Sequence, residues 1–87
     1  PWESFEKAVV DGSMDQIYIC IQLLDEKDHD RAATILIQKL ANAKTVEGKT
    51  YAHNLLKALT GQALGTDPRR WEVWLQARDT ERDKKKK

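Results

Sequence analysis

Three side chains in this sequence belong to types that can bind a soft metal or act as nucleophiles, namely Cys20, His29 and His53. Zinc sites usually take three or four such ligands from closely spaced cysteine or histidine pairs. Here nine residues separate Cys20 from His29 and twenty-four separate the two histidines, which matches no common zinc pattern. We therefore interpret Cys20 as a buried thiol, His29 as a turn residue and His53 as a helix-surface residue, and we expect no metal, no cofactor and no enzymatic activity.

Acidic side chains at Asp25, Asp28 and Asp30 suggest calcium as a second possible chemistry. A calcium loop of the EF-hand type also needs a glycine at its sharp turn and a closing bidentate glutamate, and this segment has neither. The four glycines of the chain lie in separate turns, so the sequence contains no glycine-rich phosphate loop. The acidic cluster is predicted to be a solvated turn that caps the following helix.

Two tryptophans near the C-terminus, Trp71 and Trp74, could form an aromatic platform for a peptide or a nucleobase. Together with Leu75 they fall at positions i, i+3 and i+4, which is typical of the buried face of a helix. This spacing favours the core for Trp71 and Leu75. The indole N–H favours a rim position for Trp74, which therefore remains a candidate interaction residue, while Arg69 and Arg70 point away from the tryptophan face.

The residues around these tryptophans mark where one helix ends and the next begins. Gly61 follows the last apolar residue of the preceding helix, where the chain needs a positive φ. After a short linker, Asp67 can cap a new helix, and Pro68 suits its first position. The tryptophan helix is therefore predicted to begin at Pro68.

Apolar residues recur at helical spacing along the whole chain and predict an all-α fold of four to five short antiparallel helices, either a compact helical bundle or a short solenoid of helical hairpins. The predicted helices cover residues 3–10, 14–27, 29–43, 46–60 and 68–82. They form a single domain, residues 1–78, and the charged tail, 79–87, is expected to fray into a disordered basic end. The predicted core consists of Ile17, Ile21, Leu24, Leu36, Leu40, Leu55, Leu56, Leu59, Trp71 and Leu75.

The second predicted helix is apolar around most of its circumference. Its main stripe is widened by Tyr18, Ile19, Cys20 and Leu23. A helix of this kind is predicted to be central and contacted on two sides. The β-branched run 17–21 would also suit a strand, but no partner strand with turn signals occurs elsewhere in the sequence.

Composition excludes several classes of protein. The net charge of the 87 residues is +1, and removing the four lysines at 84–87 leaves −3, which argues against a domain that wraps around nucleic acid. The single cysteine excludes an internal disulfide and favours a reducing compartment, so we expect a cytoplasmic location. No apolar run is long enough to span a membrane, and no signal peptide is visible. The first residue is Pro1, which fits either processing or the end of a longer protein.

Two segments of the sequence resemble bacterial HEAT-like repeat proteins. The first runs from Leu59-Thr-Gly-Gln through a glycine-containing linker to Asp-Pro and Trp-x-x-Trp, and it is similar to their C-terminal closing segment. The second, LLDEKDHDRAATILIQKL, is similar to the turn and second helix of a repeat, with Asp28 in the turn and Arg31 after it, although the turn is shorter and Asp30 replaces the usual valine. The resemblance covers residues 13–78 and implies an α-solenoid that scaffolds other proteins.

Two functional hypotheses follow. The first is a non-catalytic protein–protein interaction or scaffolding module of HEAT-like type, either alone or at the end of a longer repeat array, with a protein partner or neighbouring repeats. The second is a small nucleic-acid-associated helical domain that uses a continuous basic edge. That edge would comprise Arg69, Arg70, Arg78, Arg82 and the C-terminal lysines. The sequence leaves the oligomeric state open.

Overall fold

The computed structural model describes the backbone of residues 2–85 and the side chains of residues 2–80, and every regular element in that part of the chain is helical. The helices are α1 (Trp2–Asp11), α2 (Met14–Leu23), a 3-10 turn (Glu26–Asp28), α3 (His29–Asn42), α4 (Val46–Thr60) and α5 (Pro68–Lys85). The all-α prediction is therefore confirmed. The radius of gyration, 12.8 Å, is close to the value of about 12 Å expected for a compact chain of this length, as in a small helical bundle.

Two helix ends differ from the prediction by more than one residue. Helix α2 stops at Leu23 rather than at residue 27, because Leu24 takes an extended conformation with φ −70° and ψ 141°. That conformation directs the Leu24 side chain into the core, where it is 7% exposed, and leaves the charged residues after it in solvent. Helix α5 continues to Lys85, since no glycine or proline interrupts it after Pro68. The tail is thus helical as far as it is described, and Lys86 and Lys87 lie outside the described residues.

Local signals explain both ends of α4 and the start of α5, whereas Asp28, the residue before α3 in the predicted capping turn, makes no side-chain capping hydrogen bond. The Thr45 hydroxyl accepts a hydrogen bond of 3.0 Å from the Gly48 N–H at the start of α4, and the Asp67 carboxylate accepts one of 2.9 Å from the Arg69 N–H at the start of α5. Gly61 ends α4 with φ +76°, a left-handed conformation in which any Cβ is strained. Each of these three features depends on residues that are close together in the sequence, which is why the sequence predicts them.

The helices pack side by side in the order α1, α2, α4, α3 and α5. Extensive contacts join α1 to α2, α2 to α4, α3 to α4 and α3 to α5. Buried side chains fill the space between these helices. They are Phe5, Ala8, Ile17, Cys20, Ile21, Leu24, Ala32, Ala33, Leu36, Ile37, Leu40, Ala52, Leu55, Leu56, Leu59 and Trp71.

Nine of the ten predicted core residues are thus buried, and Leu75 is partly buried and packs against the core. Helix α2 contacts two neighbours, α1 and α4, as its wide apolar stripe suggests. The two neighbours do not cover the whole stripe, however, because Tyr18, Ile19 and Leu23 remain 49%, 52% and 64% exposed. The core prediction did not anticipate that this part of the stripe stays exposed.

Candidate interaction surfaces

Trp71 anchors helix α5 and does not form a binding platform. Its side chain is fully buried, and its indole N–H donates a 2.8 Å hydrogen bond to the carbonyl oxygen of Gly65 in the preceding linker. The His53 ring lies 6.2 Å away, and the Trp74 ring packs against Trp71 edge to face at 5.9 Å, both measured between centroids. Burial and the satisfied N–H leave Trp71 no free face for a ligand.

Trp74, the tryptophan predicted at the rim, is half-buried. One part of its ring contacts Trp71 at an interplanar angle of 81°. The Arg78 guanidinium lies 5.4 Å from its ring centroid, which is within the range of a cation–π interaction. The ring that could have stacked on a peptide or a base is therefore already occupied by groups of this chain.

Arg78 links the last helix to the third. Its Nε lies 3.0 Å from the Asp30 carboxylate at the start of α3, with the two side chains 38% and 13% exposed. The acidic partner also lies at the helix N-terminus, where the macrodipole favours a negative charge. The next residue, Arg31, places its guanidinium 4.2 Å from the ring centroid of Trp2 on α1. Consecutive residues of α3 therefore contact α5 and α1.

The Asp30–Arg78 ion pair predicts a measurable but modest coupling. We expect a double-mutant cycle of Asp30→Ala and Arg78→Ala to give a coupling energy of about 0.5 to 1 kcal/mol, because Arg78 is more than one-third exposed and the pair is screened by solvent. Urea denaturation of the four proteins measures it. As a control, Asp30→Ala and Arg70→Ala should be additive. A coupling energy of zero between Asp30 and Arg78 would contradict the contact.

The described arginines do not share one edge of α5. Arg69 and Arg70 are exposed, whereas Arg78 is engaged with Asp30 and Trp74. Because each helical residue turns by about 100°, Arg69 and Arg78 lie on opposite sides of the helix. The side chain of Arg82 lies outside the described residues. The continuous basic edge that the nucleic-acid hypothesis requires is therefore not formed by the three arginines whose side chains are described.

Cys20, His29 and His53 do not come together in a common site. The His29 ring lies with Nε2 3.3 Å from the Leu24 carbonyl oxygen, closing the turn before α3 when that nitrogen carries the proton. The His53 Nε2 is buried and has no hydrogen-bond partner among the described residues. Cys20 is a free, buried thiol. Within the described chain no three His, Cys, Asp or Glu side chains are grouped in a way that could hold a metal ion.

Cys20 lies at the floor of an open cleft between α1 and α2 with a volume of about 410 Å³. Five of its seven lining residues have polar or charged side chains. Its lining consists of Ser4, Lys7, Ala8, Asp11, Ser13, Gln16 and Cys20. The volume falls in the range of small-molecule sites, but such sites are lined mainly by apolar and aromatic side chains, and these residues are not.

Most of the exposed large apolar residues of the described chain lie on α2 and α4, a distribution that the sequence predictions missed. In the described chain seven large apolar side chains are exposed, and five of them belong to these two helices, which pack on each other. We call these five residues the α2–α4 surface: Tyr18, Ile19, Leu23, Val46 and Tyr51. The signal in the sequence was the apolar stripe of α2, which is wider than a helix with two neighbours can bury.

Val46 and Tyr51 border a shallow cavity of about 280 Å³ that is also lined by Glu47 and Thr50. The other two exposed large apolar residues of the described chain are Val10 on α1 and Val73 on α5, one on each helix. Single exposed apolar residues are normal on protein surfaces, whereas grouped ones mark contact sites. Val10 and Val73 therefore serve as controls for the α2–α4 surface.

No helix in the described part of the chain is long and apolar enough to cross a bilayer. Comparisons with protein-family models, with curated proteins and with solved structures returned no match for this chain.

Proposed function

We propose that this chain is a non-catalytic protein–protein interaction module built from HEAT-like helical hairpins. The order of helix contacts supports this proposal. Each hairpin, α1–α2 and α3–α4, packs internally, and the hairpins join through α2 and α4, while α5 packs on α3. In stacked repeats each repeat contacts only its neighbours, and contacts between successive hairpins of the kind made by α2 and α4 fit that pattern.

The α2–α4 surface is the observation that carries the proposal. Its five side chains are 49% to 80% exposed, and they include two tyrosines, a residue type enriched at protein interfaces. Exposed apolar area is unfavourable in water, and covering it with a partner recovers roughly 25 cal/mol per Å². A protein partner or a neighbouring repeat would supply that cover.

Helix α5 has the features of a helix that closes an array. It buries Trp71 and packs on α3, and its exposed side chains are polar apart from Val73 and Ala77 in the part whose side chains are described. The exposed polar residues of its first turns are Arg69, Arg70, Glu72 and Gln76. Terminal repeats of solenoids present such a polar outer face because no further repeat covers them. A position at the end of a longer array is therefore part of the proposal.

Nuclear magnetic resonance can test the proposed function directly on this 87-residue chain. We expect a neutral amphipathic peptide of leucine, alanine and glutamine at helical spacing to shift the amide resonances of α2 and α4 in the ¹⁵N-labelled protein. The combined variant Ile19→Ser and Leu23→Ser should lose these shifts, and the matched variant Val10→Ser and Val73→Ser should keep them. Shifts confined to α5, or none on α2 and α4 with this peptide and with basic and acidic peptides of the same spacing, would overturn the proposal.

A further inference from the structure

The charges of this chain are divided unevenly between its two parts. Residues 1–30 contain eight acidic and two basic side chains, whereas residues 31–87 contain six acidic and thirteen basic ones. The α1–α2 hairpin and the turn that follows it therefore carry a strong negative charge in a protein whose net charge is only +1. The electrostatic potential around the hairpin is therefore negative, which favours the approach of positively charged partners.

The exposed apolar residues of α2 lie between acidic groups. Ile19 and Leu23 are one turn apart, Asp15 lies one turn before Ile19, and Asp25 and Glu26 follow the end of the helix. These three acidic side chains are exposed and form no ion pair with any described residue. Helix α2 contains no lysine or arginine, and Lys27 is the single basic residue in the segment from 12 to 30.

We propose that the face of α2 formed by Tyr18, Ile19 and Leu23 binds a basic amphipathic helix of a partner protein. The inference rests on the proposed function and assigns the chemistry of its partner. Apolar residues of the partner helix would cover the three side chains, and its lysines or arginines would meet Asp15 at one end and the Asp25–Glu26 pair at the other. Asp15 and Leu23 are about 12 Å apart along the helix, which is a little over two helical turns, so a partner helix of about three turns would cover the face and reach the acidic groups at its ends.

Other occupants fit this face less well. Nucleic acid and anionic membranes are repelled by exposed carboxylates. A second copy of this chain could offer α5, where Val73 lies near Arg69 and Arg70, but the exposed Glu72 and Asp79 interrupt the positive charge of that helix. Electrostatic complementarity at the rim selects partners and speeds association, while the apolar centre supplies most of the affinity.

The experiment compares two model peptides of opposite charge on the intact ¹⁵N-labelled chain. One is a fourteen-residue leucine–lysine helix and the other is its leucine–glutamate counterpart. We expect the lysine peptide to shift amides of α2 and to bind less tightly at about 300 mM than at about 50 mM salt, because salt screens the rim charges. The glutamate peptide should leave α2 unshifted at both concentrations of salt.

Variants separate the apolar contribution from the charge contribution. Ile19→Ser with Leu23→Ser should weaken binding of the lysine peptide at least about tenfold, while Val10→Ser with Val73→Ser should not change it. Neutralising the rim with Asp15→Asn, Asp25→Asn and Glu26→Gln should weaken binding about fivefold at low salt and flatten the salt dependence. The matched control with the same change in net charge is Glu3→Gln, Glu72→Gln and Asp79→Asn, and it should retain both the affinity and the salt dependence.

Three results would overturn the inference, and they differ in what they say about the proposed function. Equal binding of both peptides to α2 would discard the charge selection and leave the interaction module intact. Absence of shifts on α2 and α4 with the lysine, glutamate and neutral peptides would discard both. Self-association without peptide, abolished by Ile19→Ser and Leu23→Ser, would identify a second copy as the occupant instead of a basic helix.

Discussion

Replacing Trp71 with alanine is expected to lower the free energy of unfolding by about 3 to 5 kcal/mol. Trp71 is fully buried between α5 and the rest of the core, and alanine would leave a large cavity. The change also removes the donor of the 2.8 Å hydrogen bond to the Gly65 carbonyl. Because small domains have total stabilities of about 5 to 10 kcal/mol, this single substitution would remove a large share of the total.

Urea denaturation followed by circular dichroism measures this effect, and Val73→Ala is the matched control. Val73 lies on the same helix, is also apolar and is 66% exposed, so its replacement should change the free energy of unfolding by less than about 0.5 kcal/mol. If Trp71→Ala does not fold well enough to be measured, Trp71→Phe keeps most of the ring volume and should still lose stability. A melting temperature of Trp71→Ala equal to that of the wild-type chain would place Trp71 outside the core.

A comparable loss, about 3 to 5 kcal/mol, is expected when Phe5 is replaced with alanine. Phe5 is fully buried, and its ring centroid lies 5.3 Å from that of Trp2 on the same helix. Helix α1 has only ten residues, which is too short to be stable on its own in water. Packing of Phe5 against the core therefore decides whether α1 is ordered at all.

The measurement for Phe5→Ala combines urea denaturation with hydrogen exchange of the α1 amides. Val10→Ala provides the control, because Val10 belongs to the same helix and is 85% exposed. We expect Phe5→Ala to reduce protection throughout α1 and Val10→Ala to leave it unchanged. Equal effects of the two substitutions would show that α1 is not held by its buried face.

Much of the fold is predictable from the sequence because its signals are local. The boundaries of α4 and the start of α5 depend on Thr45, Gly61 and Asp67, each of which acts on residues within a few positions along the chain. The end of α2 is different. Leu24 leaves the helix to bury its side chain against other elements, and this tertiary gain cannot be read from the helix itself.

The interaction surfaces are less predictable for a related reason. Trp74 is a reasonable rim residue by its spacing, yet its ring is occupied by Arg78, which in turn contacts Asp30 some forty-eight residues earlier in the chain. The spacing of apolar residues along a helix cannot predict an ion pair between residues so far apart in the sequence. The apolar stripe of α2 does show in the sequence, but which part of it stays exposed depends on where α1 and α4 pack.

The first turn of α3 has a consequence for the cooperativity of the whole molecule. Asp30 holds Arg78 of α5, and Arg31 stacks on Trp2 of α1, so the two outer helices are attached to adjacent residues. Replacing both residues with alanine would weaken the attachment of α1 and of α5 together. The two outer helices are thus modestly coupled through one dipeptide, while the α3–α4 hairpin keeps its own contacts.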